Sequence, residues 1–213
     1  MIAANFILKA SSITNLSDAR YFASYGIKMM GFSFDPQSPN FMNPFKVKEI
    51  SGWIEGPKLV GEFANLSVEA INETIESQEL HYAQVKLENI TAQYANIHSV
   101  PLIIETTITA ETSAEDTNNL LQKIYRNNDF VLLNLKSLSE DELKVQSKNT
   151  FIKYTCSRYP TIVDFNFSAE NFSAIINQYN PIGICLHGSH EDKIGTKSFE
   201  ALDALMSAIQ EEF

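Results

Sequence analysis

Eight short apolar runs rich in β-branched and aromatic side chains recur along the 213 residues of this chain, separated by stretches with helical spacing. They occupy residues 6–9, 29–34, 58–63, 82–86, 102–106, 130–134, 161–166 and 183–187. Antiparallel neighbours can be joined by a two-residue turn, whereas parallel neighbours need a crossover, usually a helix. A strict strand–helix alternation therefore predicts parallel pairing, and eight such units predict an α/β fold of the (β/α)8 TIM-barrel type. At 213 residues the chain lies at the short end of the range for such barrels, so one domain spanning residues 1–213 with brief loops is expected.

The intervening stretches carry helix-start chemistry. Asn43 precedes Pro44, whose missing N–H is harmless in a first turn, and Val47, Ile50 and Ile54 follow at helical spacing. Ser139-Glu140-Asp141-Glu142 has the form of a capping box. Ser168 precedes Phe172, Ile175, Ile176 and Tyr179, and Phe199, Leu202, Met206 and Ile209 form a similar stripe near the C-terminus. Such stripes suit a helical layer packed on strands.

Composition narrows the partners. Hydrophobic residues at 44% and charged residues at 20% describe a globular chain able to bury a core. A net charge of −10 argues against a nucleic-acid partner, which calls for clustered Lys and Arg. The opening MIAANFILKAS is too short an apolar run to span a bilayer and lacks the basic region of a secretion signal, so it reads as the first strand, with no membrane partner and a cytoplasmic location expected. The two cysteines, Cys156 and Cys185, neither demand a disulfide nor form a metal-site spacing. Oligomeric state is not fixed by any of these features.

In a closed barrel the chemistry is carried at the C-terminal ends of the strands. Lys9, Glu62, Lys86, Glu105, Asp164 and His187 all fall near those ends. One reading makes them an acid–base site in which neighbours shift one another's pKa values, or in which a Lys forms a Schiff base. The other makes them ion pairs that only satisfy buried charge. His187-Gly188-Ser189-His190-Glu191-Asp192 brings imidazoles and carboxylates onto one loop but matches no metal motif, and neither a metal nor a cofactor is expected.

Three segments, in order and at suitable spacing, resemble the phosphoribosylanthranilate isomerase family. Lys9-Ala10-Ser11-Ser12-Ile13-Thr14, followed by Asp18-Ala19, is similar to that family's Lys-x-Cys-Gly-x-Thr and Asp-Ala helix start. Gly31-Phe32-Ser33-Phe34-Asp35-Pro36-Gln37-Ser38-Pro39-Asn40 resembles its Gly-Phe-x-Phe-x-Pro-x-Ser-Pro-Arg, and Val60-Gly61-Glu62-Phe63-Ala64-Asn65 its Val-Gly-Val-Phe-x-Asn. Further on, Ala83-Gln84-Val85-Lys86 stands where the family usually has Val-Gln-Leu-His, Leu132-Leu133-Asn134 where it has Leu-Leu-Asp, and Ser168-Ala169-Glu170-Asn171 resembles the start of its seventh helix.

The resemblance implies an Amadori rearrangement of a phosphoribosylamine to a ketose, in tryptophan biosynthesis, with a Cys after the first strand as general base and an Asp after the sixth as general acid. The matching positions here are Ser11 and Asn134. A serine hydroxyl has no accessible anion near neutral pH without an activating base, and an amide has no carboxylic proton to give. Losing one general acid or base typically costs about a hundredfold to ten-thousandfold in rate. The glycine pair that the resemblance places after strand seven, where phosphate would bind, is replaced by Asp164-Phe165-Asn166, and the Arg after Ser38-Pro39 is Asn40. Gly188, Ser189 and Gly195 still offer amide donors after strand eight, and Lys193 and Lys197 offer charge. Asn40, Gln84, Asn166, Gly188 and Ser189 are accordingly the candidate ligand-binding residues, for a small polar or phosphorylated metabolite.

Three readings stay open on sequence alone. The chain is a divergent relative that binds a small polar ligand without the ancestral reaction. Alternatively it is a working isomerase in which Lys9, Glu62 or Asp164 has taken over proton transfer, or a non-catalytic interaction or regulatory module whose polar mouth is only structural.

Overall fold

The computed structural model describes residues 6–89, 97, 99–188, 191–193, 196–197 and 199–212. Strands β1 (Ile7–Ser11), β2 (Met29–Ser33), β3 (Lys58–Phe63), β4 (Tyr82–Lys86), β5 (Leu102–Thr107), β6 (Phe130–Asn134), β7 (Thr161–Asp164) and β8 (Gly183–His187) pair in chain order, all parallel, and close into a barrel. The closing ladder runs from Ile7↔Gly183 to Ser11↔His187. All eight expected strands are present, with ends shifted by one or two residues in β1, β2, β5 and β7. β1 runs on to Ser11 because β8 pairs with it as far as His187. β7 stops at Asp164, short of Asn166, because the chain turns there and Phe167 N–H donates to the Phe165 carbonyl at 2.9 Å.

The outer layer consists of α1 (Leu16–Ser24), α2 (Pro44–Ser51), α3 (Val68–Ser77), α4 (Ala114–Ile124), α5 (Glu140–Lys144), α6 (Gln146–Arg158), α7 (Phe172–Tyr179) and α8 (Glu200–Glu212), with a 3-10 turn at Leu87–Asn89 after β4. Asn15, Asn43, Ser67, Ser113 and Ser139 cap five of these helices through their side chains, and Ser139 with Glu142 forms the reciprocal box its sequence predicts. α7 begins at Phe172, later than Ser168 suggests, because the Asn171 side chain ties back to Ser168 N–H at 2.9 Å and holds the intervening turn outside the helix. Ile54 lies beyond α2, which Gly52 ends. β9 (Glu191–Lys193) and β10 (Thr196–Lys197) pair antiparallel after β8. Among the described residues no helix is long and apolar enough to cross a membrane.

Strand alternation sorts the side chains into two cores. Outward residues such as Leu8, Met30, Phe32, Ile104, Leu133 and Ile184 pack under the helices. Inward Met29, Val60, Ile103, Leu132, Ile162 and Cys185 fill the barrel's lower interior, where each buried aliphatic side chain contributes about 1.5–3 kcal/mol. The next inward positions toward the C-terminal ends are polar, so the fold itself stacks an ionisable layer on an apolar floor. At the opposite end, buried Asp129 accepts from Leu102 N–H at 2.8 Å and from Arg126 Nε at 3.0 Å, tying the start of β5 to that of β6.

Candidate functional site

A cavity of about 470 Å³ opens at the C-terminal ends of the strands. Glu62, Lys86, Glu105, Asp164 and His187 line it, as do Ser11, Asn134, Asn40 and Gln84. Lys9 lies beneath, fully buried. Asn166 and Gly188 do not line the cavity. The turn after β7 carries Asn166 outward, where its amide donates to the Lys136 carbonyl at 3.0 Å. Gly188 sits against the start of α1, where a Cβ would stand 2.4 Å from Asp18 Oδ2. Ser189 and Gly195 lie outside the described residues.

The floor of the cavity is built on an ion pair. Lys9 Nζ donates to Glu62 Oε1 at 2.9 Å and also to Ser11 Oγ. Ser12 adds its N–H at 3.1 Å and its hydroxyl at 2.9 Å, both to Glu62 Oε2. Ser12 reaches this geometry with φ at 53°, a left-handed backbone that favours glycine. Burial works against both charges. It is outweighed in Glu62 by the charge and hydrogen bonds of Lys9 and by the Ser11 and Ser12 hydroxyls, which hold the carboxyl below its ordinary range, and in Lys9 by the Glu62 charge, which lifts the ammonium above its own. The pair needs Gly31: a Cβ at that position would lie 2.0 Å from Glu62 Oε1. A carboxylate this stable as an anion is a weak base, and a lysine this stable as a cation is a weak acid and a poor amine nucleophile.

On the opposite wall, Glu105 accepts from Gln84 Nε2 at 2.8 Å and from Asn134 Nδ2 at 3.0 Å. Asn134 is thereby committed as a donor to a neighbouring carboxylate. Gln84 Oε1 is buried and accepts no hydrogen bond among the described residues, and Lys86, half-buried beside it on β4, makes no ion pair among them.

The third group lies on β7 and β8. His187 Nε2 sits 2.9 and 3.0 Å from the two oxygens of Asp164. Burial pushes the imidazole down, but the Asp164 hydrogen bond and the neighbouring Cys185 outweigh it and lift it to about 10. Sequence reasoning missed four contributors. Cys185 Sγ lies 3.0 Å from Ser11 Oγ, and Lys136 Nζ lies 3.4 Å from His187 Nε2. Ser12 clamps Glu62, and buried Asp35, on the cavity wall, accepts from Asn65 at 3.0 Å. Cys185 was findable, since it shares strand parity with His187 and so must point inward with it.

The sequence profile described as N-(5'-phosphoribosyl)anthranilate (PRA) isomerase matches residues 8–208. An N-(5'-phosphoribosyl)anthranilate isomerase of Syntrophus aciditrophicus is 23% identical over 204 residues, covering 95% of this chain and 86% of that protein. Among solved structures, phosphoribosyl anthranilate isomerase from Thermotoga maritima superposes with a TM-score of 0.78 at 20% identity, covering 97% of this chain and 99% of that one. A phosphoribosyl anthranilate isomerase in complex with reduced 1-(o-carboxyphenylamino)-1-deoxyribulose 5-phosphate gives 0.76, also at 20% identity, with the same coverage.

Proposed function

This chain belongs to the N-(5'-phosphoribosyl)anthranilate isomerase family, and from that premise we propose that it binds a small anionic metabolite in the barrel mouth without performing the Amadori isomerisation. The observation that carries the reading is a pair of groups on β4 that, among the described residues, are unengaged: Lys86 has no ion pair there and Gln84 Oε1 no donor, and both residues line the cavity. A ligand presenting a carboxylate or phosphate oxygen to Lys86 and a hydroxyl or N–H to Gln84 satisfies both, and a hydrogen bond to a charged group is worth about 1.5–3 kcal/mol. The phosphorylated ligand held by the related isomerase makes a sugar phosphate the first class to try.

Catalysis is the part the mouth has given up. Ser11 is held between Lys9 Nζ and Cys185 Sγ, and Asn134 faces Glu105, so neither position required by the family's reaction can move a proton. The locked state of Lys9 and Glu62 argues equally against their having replaced it. The decisive experiment has two arms. Expression in a tryptophan auxotroph lacking the isomerase should give no growth on minimal medium, and robust growth overturns the loss of catalysis. A panel of sugar phosphates and carboxylates should raise the melting temperature of the purified chain, with the shift lost in Lys86→Met. A chain that responds to none of them is an interaction module instead.

A further inference from the structure

At the floor of the cavity, where Asp164 and His187 line it and Cys185 lies beneath, three inward side chains of β7 and β8 converge in a way the isomerisation leaves unused. Cys185 and His187 are two residues apart on β8 and therefore point the same way, and Asp164 is the register partner of Cys185 across the β7–β8 ladder. One ligand atom from each, the thiol sulfur, an imidazole nitrogen and a carboxylate oxygen, lie within 4.8 Å of one another. Asp164 and Cys185 are 4% and 1% exposed, so this is a built pocket floor and not a solvated acidic patch. We propose that Asp164, Cys185 and His187 bind a zinc ion whose remaining coordination position faces the mouth cavity.

The donor set fits the ion. Thiolate, imidazole and carboxylate together suit zinc, whereas magnesium and calcium take oxygen ligands. A thiolate and a carboxylate neutralise the dication, which a site this buried requires. Zinc bonds of about 2.0 Å to N or O and 2.3 Å to S place tetrahedral ligands about 3.3–3.6 Å apart. His187 Nε2 and the Asp164 oxygens stand 2.9–3.0 Å apart, closer than that, so the entering ion replaces the proton between them, which is released to solvent with that of the thiol, and opens the pair by a few tenths of an ångström while Cys185 closes by a rotamer-scale movement. Three protein ligands with one open position is the arrangement of a reactive zinc and not of a structural one. Of the neighbouring cations, Lys9 is neutralised by Glu62, and Lys136 is exposed and free to swing into solvent. Ser11 Oγ, 3.0 Å from the sulfur, is placed to donate to the bound thiolate and orient it. The ligands come from two strands, which is why the loop 187–192 carried no motif and no metal was expected from sequence.

The test uses the full chain stripped with a chelator and needs neither turnover nor a metabolite, so its outcome is independent of the functional reading above. Zinc titrated by calorimetry should bind at one equivalent, and cobalt(II) should give a thiolate-to-metal charge-transfer band in the near ultraviolet. Cys185→Ser should abolish the band and weaken zinc by about a hundredfold or more, since even second-shell changes cost about 10–100-fold. Cys156→Ser should leave both intact. If Cys185→Ser does not fold, His187→Gln, altering the half-buried ligand, should weaken zinc by a similar factor with the charge-transfer band diminished. Substoichiometric zinc, a cobalt spectrum without the thiolate band, or affinity unchanged in these variants overturns the proposal.

Discussion

Replacing Glu62 by Gln tests how much of this barrel rests on one ion pair. The substitution keeps shape and removes the charge opposite Lys9, a residue with no exposed surface. Glu62 receives Lys9 Nζ on one oxygen and both Ser12 donors on the other. Glutamine has one acceptor oxygen, so its NH2 must face either the ammonium or the Ser12 N–H. Breaking a buried pair by removing one partner costs about 3–5 kcal/mol. In a chain of this length each kcal/mol moves Tm by roughly 2–4 °C, so a fall of about 6–20 °C is expected. The pH dependence has a definite sign. Glu62, lowered from 4.5, contributes stability above that pH and loses it as pH falls through its folded value, so wild type weakens in acid and the variant has a shallower acid limb. Lys9, raised from 10.5, contributes below that pH and loses it only as pH rises through its higher folded value. Without Glu62 the burial that pushes Lys9 down is opposed only by the weaker influence of Cys185 and Glu105, so Lys9 is expected to fall and the variant to regain ground as pH rises toward 10.5. Urea melts of wild type, Glu62→Gln and the double variant Lys9→Met/Glu62→Val between pH 3.5 and 9.5 measure the loss at pH 7, the difference in the acid limb and the onset of the variant's recovery at high pH. A single-variant loss under about 1 kcal/mol at pH 7, the scale of a surface pair, would refute the argument, as would a double variant less stable than Glu62→Gln.

Gly31→Ala should destabilise by about 1–3 kcal/mol through overpacking against Glu62, and by less in a Glu62→Val background, read by the same urea melts. Asp129→Ala, which leaves Leu102 N–H without its acceptor and frees the partly exposed Arg126 at the foot of the barrel, should cost about 1.5–3 kcal/mol in chemical denaturation and leave ligand-induced melting shifts unchanged. Ser11→Cys combined with Asn134→Asp should raise turnover of phosphoribosylanthranilate at least about a hundredfold over the parent chain in a direct assay.

The barrel was legible because its signal is repetitive: eight apolar runs, each with its own turn and cap chemistry, and a parity that sorts inward from outward residues. Most of the mouth was legible by the same parity. What escaped depended on the ends of strands and on pairs distant in sequence. Asn166 was assigned to the cavity by extending β7 two residues past the turn at Phe165, and that turn directs it elsewhere. Lys9 and Glu62 are 53 positions apart, and nothing local says that one neutralises the other. Cys185 was passed over because a lone cysteine carries no motif, although its spacing from His187 fixes its direction.

Ser12 bears on how such a mouth could revert. Its left-handed backbone costs a non-glycine residue about 1–2 kcal/mol, recovered here through the two hydrogen bonds to Glu62. Returning position 62 to valine first would strand Lys9 and leave Ser12 strained without recompense. Exchanging Ser12 for glycine first releases strain, keeps the N–H bond to Glu62, gives up only the hydroxyl bond and is close to neutral. The order of the two substitutions therefore decides whether Ser12 is ever left strained, but the step at position 62 strands Lys9 in either order, so it is Lys9 and not Ser12 that sets the height of the barrier to a valine at position 62.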